Sequence, residues 1–103
     1  MVILVNFKLH AVPEKRLELR QFLQAILLKI RNEKGCHEAK AVQSLEDKNQ
    51  LKLLLRWDTE ENLSAFRRSS TFKALLGSKI LLQQEPEIEF ETVGRILKNK
   101  NII

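Results

Sequence analysis

The fold of this chain is decided in residues 51–72, which carry the sequence LKLLLRWDTEENLSAFRRSSTF. The first seven residues alternate, and one face of the predicted strand carries Leu51, Leu53, Leu55 and Trp57. Asp58, with Glu61 three residues later, resembles a capping box, so the chain is expected to turn directly into a helix containing Leu63 and Phe66. The stretch therefore predicts a buried strand joined to a helix by a short capped turn.

The clearest helical pattern lies upstream of this stretch. Pro13 suits the first turn of a helix, where its missing N–H would have no partner. Apolar residues then follow at spacings of three and four: Leu19, Phe22, Leu23, Ile26, Leu27 and Ile30. Gly35 can adopt the left-handed conformation that ends a helix. These features predict an amphipathic helix from about Pro13 to Asn32.

Three other segments have the two-residue period of strands. Residues 2–9 are apolar on one side throughout and on both sides in their first half, which predicts a central strand. Residues 36–45 alternate loosely, as is typical of an edge strand, and residues 87–93 alternate again. Residues 69–71 are hydroxyl-bearing and can interrupt and cap the second helical region. Its second piece is predicted to place four residues on one face: Phe72, Leu75, Leu76 and Ile80.

The predicted order βαββαβ is that of the α+β ferredoxin-like fold, a four-stranded antiparallel sheet with both helices on one face. Right-handed crossovers place the first and third strands at the centre. We predict one domain over residues 1–94 and a C-terminal tail over residues 95–103. The face of the sheet away from the helices, with Leu4 and Leu54, must be covered by a second subunit, a ligand or nucleic acid.

Composition argues against several classes of function. The net charge is +5, but three of the basic residues lie in the last nine positions: Arg95, Lys98 and Lys100. The body is nearly neutral, and the third strand lacks the aromatic residues on which RNA-binding sheets stack bases, so no nucleic acid is expected. The apolar run at residues 2–5 is too short for a membrane span. The single Cys36 cannot form an internal disulfide, and we expect a cytoplasmic protein without membrane contact.

A second copy of the chain is the partner that the charge pattern favours. Lys8 and Arg56 on the central strands can offset a row of carboxylates on the last strand, formed by Glu87, Glu89 and Glu91. The aliphatic part of the same face is then left to pack against another subunit. We therefore expect a homodimer formed through the open sheet face.

Candidates for acid–base chemistry are few. His10 ends the first strand and His37 begins the second, so both are expected to be exposed. Two histidines without a supporting carboxylate motif do not make a metal site, and none is predicted. His37, beside Cys36 and Glu38, is the better of the two candidates for proton transfer.

Together these segments resemble the antibiotic biosynthesis monooxygenase (ABM) family of dimeric α+β barrels. The matching features are the first strand with Pro13 opening the helix, KGC at residues 34–36, LLLRWDTEE at residues 53–61, STFK at residues 70–73, and the last strand. The resemblance spans about residues 1–94. It implies the ferredoxin-like fold and a dimer.

The resemblance also implies candidate activities. The family includes cofactor-independent oxygenases of quinol-like or polycyclic phenols, haem-degrading enzymes, an isomerase, and members without known activity. Several members carry a histidine nine residues after the tryptophan, where this chain has Phe66. The haem-degrading branch uses a first-strand asparagine, matched by Asn6, with a tryptophan and a histidine; Phe66 and Leu76 stand at those two positions. A leucine cannot ligate iron, so no haem is expected.

Two functions remain open. The first is an oxygenase that needs no cofactor and acts on a small aromatic or quinol-like substrate, which Asn6 would orient by hydrogen bonding. Its apolar pocket is expected between the sheet and the second helix, lined by Asn6, Trp57, Phe66, Phe72 and Leu76. The second is a catalytically silent or non-enzymatic dimeric domain that binds a small apolar ligand or a partner. No catalytic residue is assigned, and the candidates are Asn6 and His37.

Overall fold

The structure is a computed structural model that describes residues 2–92. In this range the elements are β1 (Ile3–His10), α1 (Arg16–Arg31), β2 (Cys36–Gln43), β3 (Gln50–Trp57), α2 (Glu60–Arg67), α3 (Ser70–Gly77) and β4 (Glu87–Thr92). A short 3-10 turn, Pro13–Lys15, precedes α1, and a second, Ser78–Leu81, follows α3. The predicted order of strands and helices is confirmed, with the second helical region divided into two pieces.

The sheet has the strand order β2-β3-β1-β4, and every neighbouring pair is antiparallel. The first and third strands lie at the centre, as predicted from their apolar character and the crossover rule. The chain therefore has the expected α+β ferredoxin-like fold.

Side-chain alternation sorts β1 and β3 into a buried and an open face. Four residues of β1 are buried, namely Ile3, Val5, Phe7 and Leu9, and so are four of β3, namely Leu51, Leu53, Leu55 and Trp57. They join the buried side of α1 in one apolar core. That side consists of Leu19, Leu23, Ile26, Leu27 and Ile30, all predicted from their spacing, and Phe22 packs partly against the core.

The predicted apolar face of the second helical region is only half correct. Leu75 is buried and Phe72 packs against the core, but Leu76 is 37% exposed and Ile80 is 77% exposed. The α-helix ends at Gly77 and a 3-10 turn follows. Because a 3-10 turn has three residues per turn rather than 3.6, it rotates the later side chains away from the face predicted for an uninterrupted α-helix.

The cap of α2 lies one residue later than predicted. Thr59 has the extended conformation of an N-cap, and its hydroxyl accepts from the backbone N–H of Asn62 at 3.1 Å. The carboxylate of Asp58 instead accepts a hydrogen bond from the Asn62 side chain at 2.9 Å. The second piece begins as expected, since the Ser69 hydroxyl caps α3 by accepting from the N–H of Phe72.

Gly35 is the last residue of the loop between α1 and β2, and its φ of +86° is the left-handed conformation predicted for this position. The boundary at residue 94 and the tail at residues 95–103 lie outside the described residues. Between residues 2 and 92, none of the helices combines the length and the apolar character needed to cross a bilayer.

Candidate functional site

The open face of the sheet is the face turned away from the helices, and strand register sets its side chains in rows. Asn6 of β1 lies opposite Leu54 of β3 and, on its other side, opposite Glu89 of β4. Lys40 of β2 lies beyond Leu54 in the same row. Leu4 occupies the next row of β1, between Arg56 and Glu91. Leu4, Asn6 and Leu54 thus form a small centre of two apolar side chains and one amide, with charged side chains on both sides.

A concavity of about 230 Å³ lies on this face and is called here the Asn6 cavity. Its central side chains are Leu4, Asn6 and Leu54, with Glu38 and Lys40 on one side and Glu89 and Glu91 on the other. Pockets that hold drug-sized ligands occupy roughly 300–1,000 Å³. The Asn6 cavity therefore suits a smaller molecule.

The Asn6 amide is the unusual polar group of this cavity. Its Oδ1 is buried and has no hydrogen-bond partner among residues 2–92. Buried polar atoms are normally paired, and leaving one unpaired costs about 1–3 kcal/mol. An O–H or N–H of a bound molecule would supply the missing donor.

An ion pair on the open face links β1 to β4. The Lys8 ammonium lies 2.9 Å from a carboxylate oxygen of Glu89. This hydrogen bond, with the accompanying charge attraction, lowers the pKa of Glu89 and raises the pKa of Lys8. Lys8 therefore offsets one of the three β4 carboxylates, Glu89, which stays ionised in neutral solution, whereas Arg56 forms no ion pair with them among residues 2–92.

The helix side of the sheet holds a packed aromatic cluster. The rings of Trp57 and Phe66 have centroids 4.8 Å apart, and Phe66 meets Phe72 edge-on at 5.4 Å. Phe7 extends the cluster, 6.3 Å from Phe72. Trp57 is 0% exposed and Phe66 is 2% exposed. These rings occupy the space between the sheet and the second helical region with apolar contacts, and Phe66 has a structural role there.

The structure does not bring the five predicted lining residues into one pocket. Trp57, Phe66 and Phe72 meet in the aromatic cluster, whereas Asn6 lies on the opposite face of the sheet. Consecutive strand residues point to opposite faces, and Val5 and Phe7 occupy the helix side of β1. Leu76 lies on the exposed side of α3.

The two histidines do not come together at the Asn6 cavity. His10 is only partly exposed, contrary to expectation, and its Nε2 lies 3.8 Å from a Glu87 carboxylate oxygen. His37 lies at an irregularity in the pairing of β2 and is exposed, with Nε2 3.9 Å from an Asp58 carboxylate oxygen. It does not line the Asn6 cavity. Half-burial raises the pKa of the neighbouring Cys36 thiol, which therefore stays protonated at neutral pH. Among residues 2–92, no group of three or more His, Cys, Asp or Glu residues is placed to hold a metal ion.

Sequence reasoning missed Glu38 and Lys40 as neighbours of Asn6. They share the open face through two successive strand pairings, β2 with β3 and β3 with β1. Period-2 alternation indicates which of their side chains share a face, but alignment with Asn6 depends on the registers of both pairings.

Comparisons with known proteins agree with this fold. The family model described as antibiotic biosynthesis monooxygenase matches residues 1–77. No curated protein matches the chain.

Several solved structures share the fold. A conserved protein from Methanosarcina mazei Go1 is 28% identical, with a TM-score of 0.83 over 88% of this chain and 91% of that one. A Mycobacterium tuberculosis protein is 23% identical, with a TM-score of 0.78 over 89% and 94% of the two chains. An antibiotic biosynthesis monooxygenase is 14% identical, with a TM-score of 0.79 over 89% and 97%. The last two likenesses concern the fold alone.

Proposed function

Because the chain belongs to the antibiotic biosynthesis monooxygenase family, we propose that it is a homodimeric protein that binds a small hydroxylated aromatic molecule at Asn6. Its candidate reaction is the oxidation of that molecule by O₂ without a cofactor. The observation that carries the proposal is the buried, unpaired Oδ1 of Asn6 in a cavity beside Leu4 and Leu54. A phenol matches these groups, since its ring covers the leucines and its hydroxyl donates to Oδ1.

The Asn6 amide can serve both protonation states of such a ligand. Oδ1 accepts from a phenol hydroxyl, and Nδ2 donates to a phenolate oxygen. Holding the oxygen in this way orients the ring and supports its electron-rich phenolate form, the form that gives electrons to O₂ most readily. In the oxidation of an activated ring CH₂ to a carbonyl, one oxygen atom enters the substrate and the other leaves as water. The substrate supplies all the electrons.

The distribution of charge on the open face supports a second copy as its cover. β4 contributes three carboxylates, Glu87, Glu89 and Glu91, while β3 contributes Lys52 and Arg56. A two-fold axis places one patch against itself, so an acidic side of one subunit can meet the basic side of the other. Members of the family are generally dimeric. The cavity would then be closed from water by the partner subunit.

The experiment measures ligand binding and O₂ uptake with the same proteins. Phenol, hydroquinone and anthrone are titrated by calorimetry, and O₂ consumption is followed with each. Asn6→Ala is expected to abolish binding and turnover. Asn49→Ala is the matched control, because Asn49 also has a buried unpaired Oδ1 but lies outside the Asn6 cavity. Equal binding by the Asn6→Ala variant and the wild type would refute the site.

A binding protein without turnover is the second candidate function. It is favoured by Phe66, which is packed in the aromatic cluster at the position where the resemblance places a histidine in several relatives. Phenyl rings cannot transfer protons. Binding that depends on Asn6 without O₂ uptake from any ligand would support this candidate over the oxygenase. A monomer in concentration-dependent light scattering would contradict the dimer in either case.

A further inference from the structure

The charged side chains around the Asn6 cavity are distributed unevenly across the strands. β4 presents only carboxylates to the open face, at Glu87, Glu89 and Glu91. On the other side, β2 and β3 present three cations and one carboxylate: Lys40, Lys52, Arg56 and Glu38. Lys8 of β1 engages Glu89 at 2.9 Å, and on β2 Lys40 is accompanied by Glu38, so a molecule lying across the strands meets carboxylates at its β4 end and both a cation and a carboxylate at its β2 end.

Lys40 is the cation that lines the cavity itself. It shares a row with Leu54 and Asn6, two strands away. With neighbouring strands about 4.8 Å apart, the Cα atoms of Lys40 and Asn6 are separated by about 10 Å. Leu54 lies between them as an apolar floor. A single ring resting on Leu54 can therefore present one substituent to Asn6 and an opposite one to the Lys40 ammonium, which has a flexible stem.

Lys40 is also available for a ligand. Its ammonium lies 3.9 Å from a Glu38 carboxylate oxygen, and both side chains are about half exposed. Exposed pairs of this kind contribute little. On the far side of the cavity, by contrast, the Glu89 carboxylate is held closely by the Lys8 ammonium, at 2.9 Å. An incoming carboxylate can thus pair with Lys40 without breaking a strong contact.

We propose that the Asn6 cavity selects aromatic molecules that carry a hydroxyl at one end and a carboxylate at the other. The hydroxyl donates to Asn6 Oδ1 and the carboxylate pairs with Lys40. The β4 carboxylates repel the reversed orientation, in which the anionic end would lie beside Glu89 and Glu91. This inference rests on the proposed ligand site at Asn6 and makes Lys40 its specificity-determining residue.

The test compares 4-hydroxybenzoate with phenol in calorimetric titrations of the full chain at pH 7 and low salt. The wild type is expected to bind 4-hydroxybenzoate about two- to fivefold more tightly than phenol. Lys40→Ala should remove this preference, so that 4-hydroxybenzoate and phenol bind with equal affinity, and Lys40→Glu should reverse it. Lys73→Ala, which replaces an exposed lysine on α3, is the matched control and should keep the wild-type preference.

The outcomes separate this inference from the function on which it rests. Equal affinities for the two probes in the wild type, or a preference that survives Lys40→Ala, would overturn the role of Lys40. If phenol binding is still lost in Asn6→Ala, the site at Asn6 stands without the carboxylate preference. Absence of phenol binding in the wild type, or binding insensitive to Asn6, would overturn both.

Discussion

Replacing Asn6 with leucine is expected to stabilise the protein while it abolishes ligand binding. In the ligand-free chain, Oδ1 of Asn6 is buried without a partner, which costs about 1–3 kcal/mol. Leucine removes this polar atom and adds apolar contact with its row neighbour Leu54 and with Leu4. It is also better suited than asparagine to a central strand.

The expected gain is about 1 kcal/mol, near the lower limit of that range, because the Asn6 side chain is only partly buried. For a domain of this size, a gain of 1 kcal/mol raises Tm by roughly 4–8 °C. The stability is measured by urea denaturation at one fixed protein concentration, since the proposed dimer would make apparent stability depend on concentration. The slope of the unfolding free energy against urea should stay at the wild-type value, so that a shift in midpoint reports stability.

Asn62→Leu is the matched control, because that asparagine has a partner. Its side chain donates to Asp58 at 2.9 Å, so leucine should lower the urea midpoint rather than raise it. A wild-type or lower midpoint for Asn6→Leu would refute the reasoning, since it would mean that Oδ1 is satisfied in solution. A higher midpoint combined with lost phenol binding would show that the polar group is kept for function at the expense of stability.

Three further perturbations test the packing and charges described above. Because the Phe66 ring is buried in the core, Phe66→Ala is expected to destabilise the protein by about 3–5 kcal/mol in urea titrations. Phe66→Leu should cost less than about 1.5 kcal/mol. Equal losses of stability in the two variants would contradict that packing. Gly35→Ala should cost more than about 1 kcal/mol, because φ is +86° and the new methyl group would clash. In Gly77→Ala the added methyl group has no neighbour within 4 Å, and alanine is the better helix former, so this variant should gain about 0.5–1 kcal/mol of stability. Thermal scans of Gly35→Ala and Gly77→Ala should therefore show opposite shifts in Tm. Lys8→Met should raise the pKa of Glu89 toward its ordinary value in an NMR titration. Because the folded pKa of Glu89 is lowered, its stabilising contribution is present above the unfolded pKa and is lost as pH falls through the folded one, so the two proteins should converge in stability in acid.

Local periodicity predicted much of the architecture. The spacing of Leu19 through Ile30 indicated α1, and the two-sided apolar character of the first and third strands indicated the centre of the sheet. Gly35 indicated where the loop after α1 ends, because glycine can adopt the left-handed conformation found there. The predicted N-cap of α2, Asp58, was wrong by one residue, and Thr59 is the N-cap. Both residue types are good N-caps, and the residue at which β3 ends decides between them.

The sequence by itself thus determined the βαββαβ order, the apolar face of α1 and the placement of Leu4 and Leu54 on the sheet face away from the helices. These features depend on side-chain spacing within single elements. Only the tertiary structure decided that Asn6 lies across the sheet from Phe66, and that Lys40 shares its row. The reason is that a candidate site spans several strands, and which residues become neighbours is set by pairing register and by the face each residue takes.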